Sequence, residues 1–105
     1  MKLIIPPKCQ IGAHIFKIRW SDKWLDARGV RGHEDCRDQM IRLHTGQSAS
    51  AAFEALIHEL DHVVGYTYGI ESEEAEVIAR TAGLCQSLMS LGIEPDFSQI
   101  PKEIF

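Results

Sequence analysis

The sequence predicts an α+β fold: a small antiparallel or mixed sheet with an edge hairpin, packed against two helices. Short apolar runs with alternation occupy the N-terminal part, apolar residues at three- and four-residue spacing begin near residue 48, and a second such segment follows from residue 72. A chain of 105 residues has the size of one domain, so a single core over residues 1–105 has to carry both the fold and any site.

The first strand signals are Leu3, Ile4 and Ile5 before Pro6 and Pro7, then residues 14–20 with apolar positions alternating at their end. Residues 21–28 mix Trp24, Leu25 and Ala27 with charged positions and fit a helical turn or a loop equally. Residues 29–35 read as a strand entering a turn and residues 38–44 as the returning strand of a hairpin. The polar residues of that second arm suggest an edge strand with one side of its backbone open to a ligand.

Thr45, Gly46, Gln47 and Ser48 supply capping chemistry for a long helix over residues 48–66. Its apolar stripe is Phe53, Leu56, Ile57, Leu60, Val63 and Val64, with Gly65 and Gly69 bracketing its exit. A second helix is expected over residues 72–91, with Ser72 as N-cap, Gly92 as its stop, and Val77, Leu84, Leu88 and Leu91 as its core face. The tail over residues 93–105 contains Pro95 and Pro101 and is expected to lie on the surface without regular structure.

Composition narrows the function classes. The hydrophobic fraction of 45% and the charged fraction of 25% are those of an ordinary globular domain. A net charge of −4 argues against nucleic acid as partner, because Arg28, Arg31, Arg37 and Arg42 are interleaved with Asp26, Glu34, Asp35 and Asp38 in what reads as a mixed solvated surface. Cys9, Cys36 and Cys85 form neither a disulfide framework nor a CxxC pair, and Cys85 reads as core. No segment has the length of a signal core or a membrane span, so the expectation is a soluble cytoplasmic protein with no membrane partner.

The chemistry sits in His58-Glu59-Leu60-Asp61-His62, an H-E-x-x-H pattern. At about 100° per residue, residues four apart differ by only about 40° around the helix, so both imidazoles point to one side and can share one zinc ion. The apolar stripe is centred roughly 160° away, which leaves metal binding and core packing on different faces. Ala51 and Ala55 lie on the histidine side, where small residues let another element come close. Asp61 lies off that side and reads as a solvated helix residue rather than a support for a histidine.

A catalytic zinc takes three protein ligands and leaves one position open. The downstream candidates are Glu71, Glu73, Glu74 and Glu76. Glu74 is favoured because it precedes Val77 and Ile78 by one turn and so projects from the inward side, with Glu73 next. Favourable charge at a helix N-terminus accounts for acids of this kind without a metal. His14, His33 and His44, in two strands and a turn, read as surface or partly buried imidazoles outside the site.

With these residues in view, the chain resembles the gluzincins, zinc peptidases with H-E-x-x-H on one helix and a glutamate ligand on the next. It is most similar to the compact ImmA/IrrE-like and phage-borne minimal metallopeptidases. Glu74-Ala75-Glu76-Val77-Ile78-Ala79 resembles their E-A-x-x-[apolar]-A signature, and residues 31–43 resemble their hairpin and edge strand; the likeness spans roughly residues 28–91. It implies a minimal zincin-like fold with zinc on His58, His62 and Glu74. The chain departs from larger gluzincins in carrying Ile78 where they have an aspartate that orients a histidine, and in having no histidine after His62 to stabilise an oxyanion. Tyr66 and Tyr68 are the available substitutes.

The function expected is zinc-dependent hydrolysis of a protein or peptide substrate, with Glu59 as general base and the substrate paired as an added strand along residues 40–44. The alternatives are a non-enzymatic zinc-binding regulatory or interaction module, and a helical interaction protein without metal.

Overall fold

The computed structural model describes residues 1–104, and within them the fold is α+β with a mixed sheet, as the sequence predicts. The elements run β1 (Lys2–Ile4), β2 (Lys8–Ile11), β3 (His14–Trp20), α1 (Asp22–Asp26), β4 (Gly32–Asp35), β5 (Met40–Leu43), α2 (Ala49–Tyr68), α3 (Glu74–Ser90) and β6 (Glu94–Asp96). Four strands form one sheet in the order β2-β3-β5-β4, and β1 pairs with β6 in a separate parallel ribbon.

In β3, Phe16 and Ile18 point into the core while Ile15 and Lys17 face out, the period-two pattern of a half-buried strand. The open assignment of residues 21–28 resolves as the short helix α1, which buries Leu25. The hairpin is present, with β4 antiparallel to β5. Its second arm is not an edge, however. β5 also pairs in parallel with β3, so both sides of its backbone are occupied and β4 is the edge strand. Among the polar residues that suggested an edge, Arg42 is 5% exposed. Its guanidinium is neutralised by Glu103 at 2.9 Å and Asp35 at 3.5 Å and lies over the Trp24 ring, so this arginine belongs to the interior rather than to a solvated face.

α2 begins where the capping residues place it, with the Ser48 hydroxyl accepting the Ala51 N–H, and runs to a left-handed Gly69. It lies across the sheet and buries Ala52, Phe53, Leu56, Glu59 and Val63. Val64, expected in the stripe, is exposed, because the buried face is turned towards Glu59. α3 packs mainly on α2 through Val77, Thr81 and Cys85. Leu84 and Leu91, expected in the core, lie about 60–80° around the helix from that line and are exposed. Glu73, not Ser72, occupies the N-cap position of α3, without a side-chain capping bond; the Ser72 hydroxyl instead accepts from Arg80 at 3.2 Å. Gly92, with φ of 96°, ends the helix as anticipated.

The tail differs most from expectation. β6 pairs with β1, Lys102 bridges to Trp20, and Ile100 enters the core. Proline at these positions is tolerated because β6 is an edge strand of three residues and Pro101 contributes only its carbonyl, which accepts the Trp20 N–H. Phe105 lies outside the described residues. No helix of the described chain is long and apolar enough to cross a membrane.

Candidate metal centre

α2 presents His58 and His62 on one side, and the turn after Tyr68 brings the first residue of α3 back against them. The His58 and His62 Nε2 atoms are 3.1 Å apart, the Glu74 carboxylate reaches His58 Nε2 at 2.8 Å with one oxygen, and it reaches His62 Nε2 at 3.1 Å with the other. All three residues offer a ligand atom within 4.8 Å of the others.

These spacings fit a zinc ion. A tetrahedral ion with ligands at about 2.0–2.1 Å holds neighbouring donor atoms about 3.3 Å apart. Protons satisfy the cluster less well. If each imidazole donates its Nε2 hydrogen to Glu74, two like-polarised N–H groups lie side by side with their nitrogens 3.1 Å apart; if either loses that hydrogen, a lone pair faces the carboxylate. A cation is attracted by all three groups at once.

Of the four acidic candidates, Glu74 alone joins the histidines; Glu71, Glu73 and Glu76 line a cleft that continues from His62. Glu74 succeeds through its phase on α3, in line with the buried Thr81 two turns later. The turn that delivers it is pinned by Arg80, whose guanidinium donates to both Asp61 oxygens, at 2.6 and 3.2 Å, and to Ser72. Asp61 therefore ties α2 to α3 and, among the described residues, makes no hydrogen bond to either histidine.

Glu59 is 7% exposed. It lies under β4: a Cβ on Gly32 would stand 3.5 Å, an ordinary van der Waals distance, from both Ala55 Cβ and Glu59 Cγ. The small residues on the histidine side of the helix thus do admit a second element. Two residues along β4, on the same face, Glu34 brings its carboxyl and its N–H to Glu59. Burial and the Glu34 carboxyl raise the Glu59 pKa to about 9, with Glu74 adding to the rise and the Glu34 N–H opposing it. A divalent cation beside the histidines acts in the opposite sense and favours the carboxylate.

Glu34 was not singled out from the sequence. Its signal, Gly32 and Glu34 alternating on one strand face, has meaning only once β4 is known to cross α2.

The two tyrosines separate clearly. Tyr66 follows His62 by one turn and lines the cleft, whereas the Tyr68 hydroxyl sits over Gly12 in the turn between β2 and β3, away from the histidines. The other histidines stay apart as well. His44 Nε2 meets Asp26 at 2.7 Å, His33 lies on β4 against the Trp24 ring, and His14 Nδ1 is 3.4 Å from Gln39.

Comparison with protein-family models, with curated proteins and with solved structures finds no match. The chemistry of the site is carried by its own donor atoms and their spacing.

Proposed function

We propose that the chain is a zinc-dependent peptidase of gluzincin type, with zinc held by His58, His62 and Glu74. The observation that carries this reading is the convergence of two imidazole nitrogens and one carboxylate, from two helices, at the spacing of a tetrahedral shell. Zinc bound there would supply Lewis acidity and lower the pKa of an attacking water towards about 7.

The chain's own residues do the rest. Glu59, one residue from His58 and held beneath β4, takes the proton from the water and returns it to the leaving amine. Tyr66, on the same side of α2 as His62, donates its hydroxyl to the developing oxyanion. The substrate pairs in extended form with β4 rather than along residues 40–44, because β5 has no free edge.

The test is zinc content measured beside peptide hydrolysis. The purified protein is expected to hold one zinc per chain, His58→Ala and Glu74→Ala to lose it, and Glu59→Gln to keep it while hydrolysis falls by about 10²–10⁴-fold. A metal-free protein, or full activity in Glu59→Gln, sinks the mechanism.

A second reading, a zinc-stabilised binding module without turnover, is favoured by the burial of Glu59 against Glu34. It predicts that chelation lowers the melting temperature while no peptide is cut by the zinc-loaded chain.

A further inference from the structure

We propose that the outer face of β2 and β3 is a docking surface for an acidic, extended segment of a partner protein, which joins the sheet as an added strand along β2. This surface lies at the other end of the sheet from β4, and on the face turned away from Phe16, Ile18 and the core, so it does not depend on the zinc site.

Charge is divided unevenly along the chain. Residues 1–21 contain Lys2, Lys8, Lys17 and Arg19 and no aspartate or glutamate, although the whole chain has a net charge of −4. The sheet gathers three of these cations. Lys8 stands directly opposite Lys17, both exposed, and Arg19 follows two residues along β3 on the same face. The Lys17 N–H bonds to Gln39 on the β5 side, so Lys8 and Lys17 are a pair without hydrogen bonds between them, with Cα atoms about 4.5 Å apart. Like charges directly opposite each other destabilise a sheet. Among the described residues, no ion pair reaches Lys8, Lys17 or Arg19. The Arg19 guanidinium is nonetheless fixed, because one of its nitrogens donates to the Pro7 and Ile18 carbonyls at 2.9 and 2.8 Å. A fixed guanidinium without a carboxylate is prepared to receive one. A lysine on an edge strand guards against sheets joining at random, which accounts for Lys8. That account does not extend to Lys17 and Arg19, on a strand with neighbours on both sides.

The edge itself is open. The Ile18 N–H bonds to the Pro7 carbonyl, so by alternation Cys9 and Ile11 bond to β3, while the backbone N–H and C=O groups of Lys8 and Gln10 point away from the sheet. No other backbone group meets them among the described residues. A strand added there sets alternate side chains on the cationic face beside Lys8, and Lys17 is only one strand further, about 4.8 Å. Acidic side chains at those positions supply the missing countercharge. A second copy of this chain would bring the same cations to its own edge and is repelled. Nucleic acid would use the charges and leave the backbone groups unpaired.

The experiment is binding of a short fluorescent peptide of alternating glutamate and threonine to the full chain with Glu59→Gln, which prevents cleavage, followed by anisotropy. It is expected to bind at least about fivefold tighter than the same peptide with glutamine for glutamate, and the preference should shrink with added salt. Methylating the backbone nitrogens of one alternate set of residues should abolish binding, and methylating the other set should leave it, because only one set faces β2. These changes are made in the peptide, so the test survives any variant that fails to fold. In the protein, Lys8→Glu with Lys17→Glu should lose the glutamate peptide and prefer one with lysine in its place. Lys17→Gln should weaken the peptide about two- to threefold yet raise the urea midpoint, since it relieves the opposed charges. Equal binding of the glutamate and glutamine peptides, equal effects of the two methylated sets, or binding that survives the charge reversal overturns the proposal. So does an oligothymidylate of equal charge that binds more tightly than the peptide, which would assign the face to nucleic acid, or a lowered urea midpoint in Lys17→Gln, which would give that lysine a structural task.

Discussion

At the scale of single residues, two tyrosines of one helix turn stand in different surroundings. Tyr66 stands one turn beyond His62 in the cleft, and Tyr68 points roughly 160° away from Tyr66, over Gly12. Loss of one oxyanion donor lowers turnover by about 10²–10³-fold in well-ordered sites. Because Tyr66 is 77% exposed, its hydroxyl is less fixed, and Tyr66→Phe is expected to lower kcat by about tenfold to a hundredfold. KM and zinc content should stay near those of the parent, and Tyr68→Phe should leave kcat alone. An unchanged kcat in Tyr66→Phe removes the hydroxyl from the mechanism. The shared direction of His58 and His62 was legible from sequence because helical spacing fixes it over four residues, whereas the burial of Glu59 under β4 was not. Glu74 was legible through its phase on the next helix. Choosing between Tyr66 and Tyr68, or finding Glu34, requires knowing what packs against each face of α2, and that is decided by residues distant in sequence.

At the scale of elements, what positions Glu74 is the tight return from α2 into α3, and Gly65 is the residue that permits it. The Gly65 carbonyl accepts both the Gly69 and Ile70 N–H groups, and a Cβ on Gly65 would stand 2.9 Å from the Ile70 carbonyl oxygen. That contact is with backbone, so the turn itself has to move. Gly65→Ala is expected to destabilise the protein by about 1–3 kcal/mol and to weaken zinc binding, since Glu74 lies only four residues beyond Ile70. Gly83, inside α3, is the control. A Cβ there meets nothing within 4 Å, so Gly83→Ala should stabilise by about 0.5–1 kcal/mol through helix propensity and leave zinc affinity unchanged. Denaturant melts paired with competitive zinc titration distinguish the two, and equal zinc affinity in Gly65→Ala and the parent would sink the positioning argument. Sequence signals read Gly65 and Gly69 as bracketing the helix exit, and the helix passes through Gly65 to end at Tyr68, capped by Gly69. Local patterning found α2, α3 and the hairpin because each is built from neighbours in sequence. It missed the β3 to β5 pairing and the β1 to β6 ribbon, whose partners are far apart along the chain.

At the scale of the whole molecule, the tail closes the fold through Glu103. One Glu103 oxygen accepts from Ser21 at 2.7 Å and from Arg42 Nε at 2.9 Å, and the other accepts from the Arg42 guanidinium at 3.1 Å. Hydrogen bonding to Arg42 holds the Glu103 carboxyl below its ordinary value, and the Asp38 N–H, followed by Arg42, does the same for Asp35. A depressed carboxylate pKa means that the unfolded chain binds more protons on the acid side. The stabilisation is therefore complete above the ordinary carboxylate range of about 4–4.5 and is lost as pH falls through the lower folded values. Glu103→Ala removes the nearer of two partners from a buried guanidinium and leaves Arg42 with Asp35 at 3.5 Å. The expected loss is about 3 kcal/mol at neutral pH, the size found when one member of a buried pair is deleted. The difference from the parent should narrow between about pH 4.5 and pH 2, because the parent loses the same interaction there. Urea melts across that range measure both quantities. A Glu103→Ala protein as stable as the parent at pH 7, or a gap that stays constant down to pH 2, would show that the tail is held by Ile100 and its backbone bonds to Trp20 rather than by the buried charge.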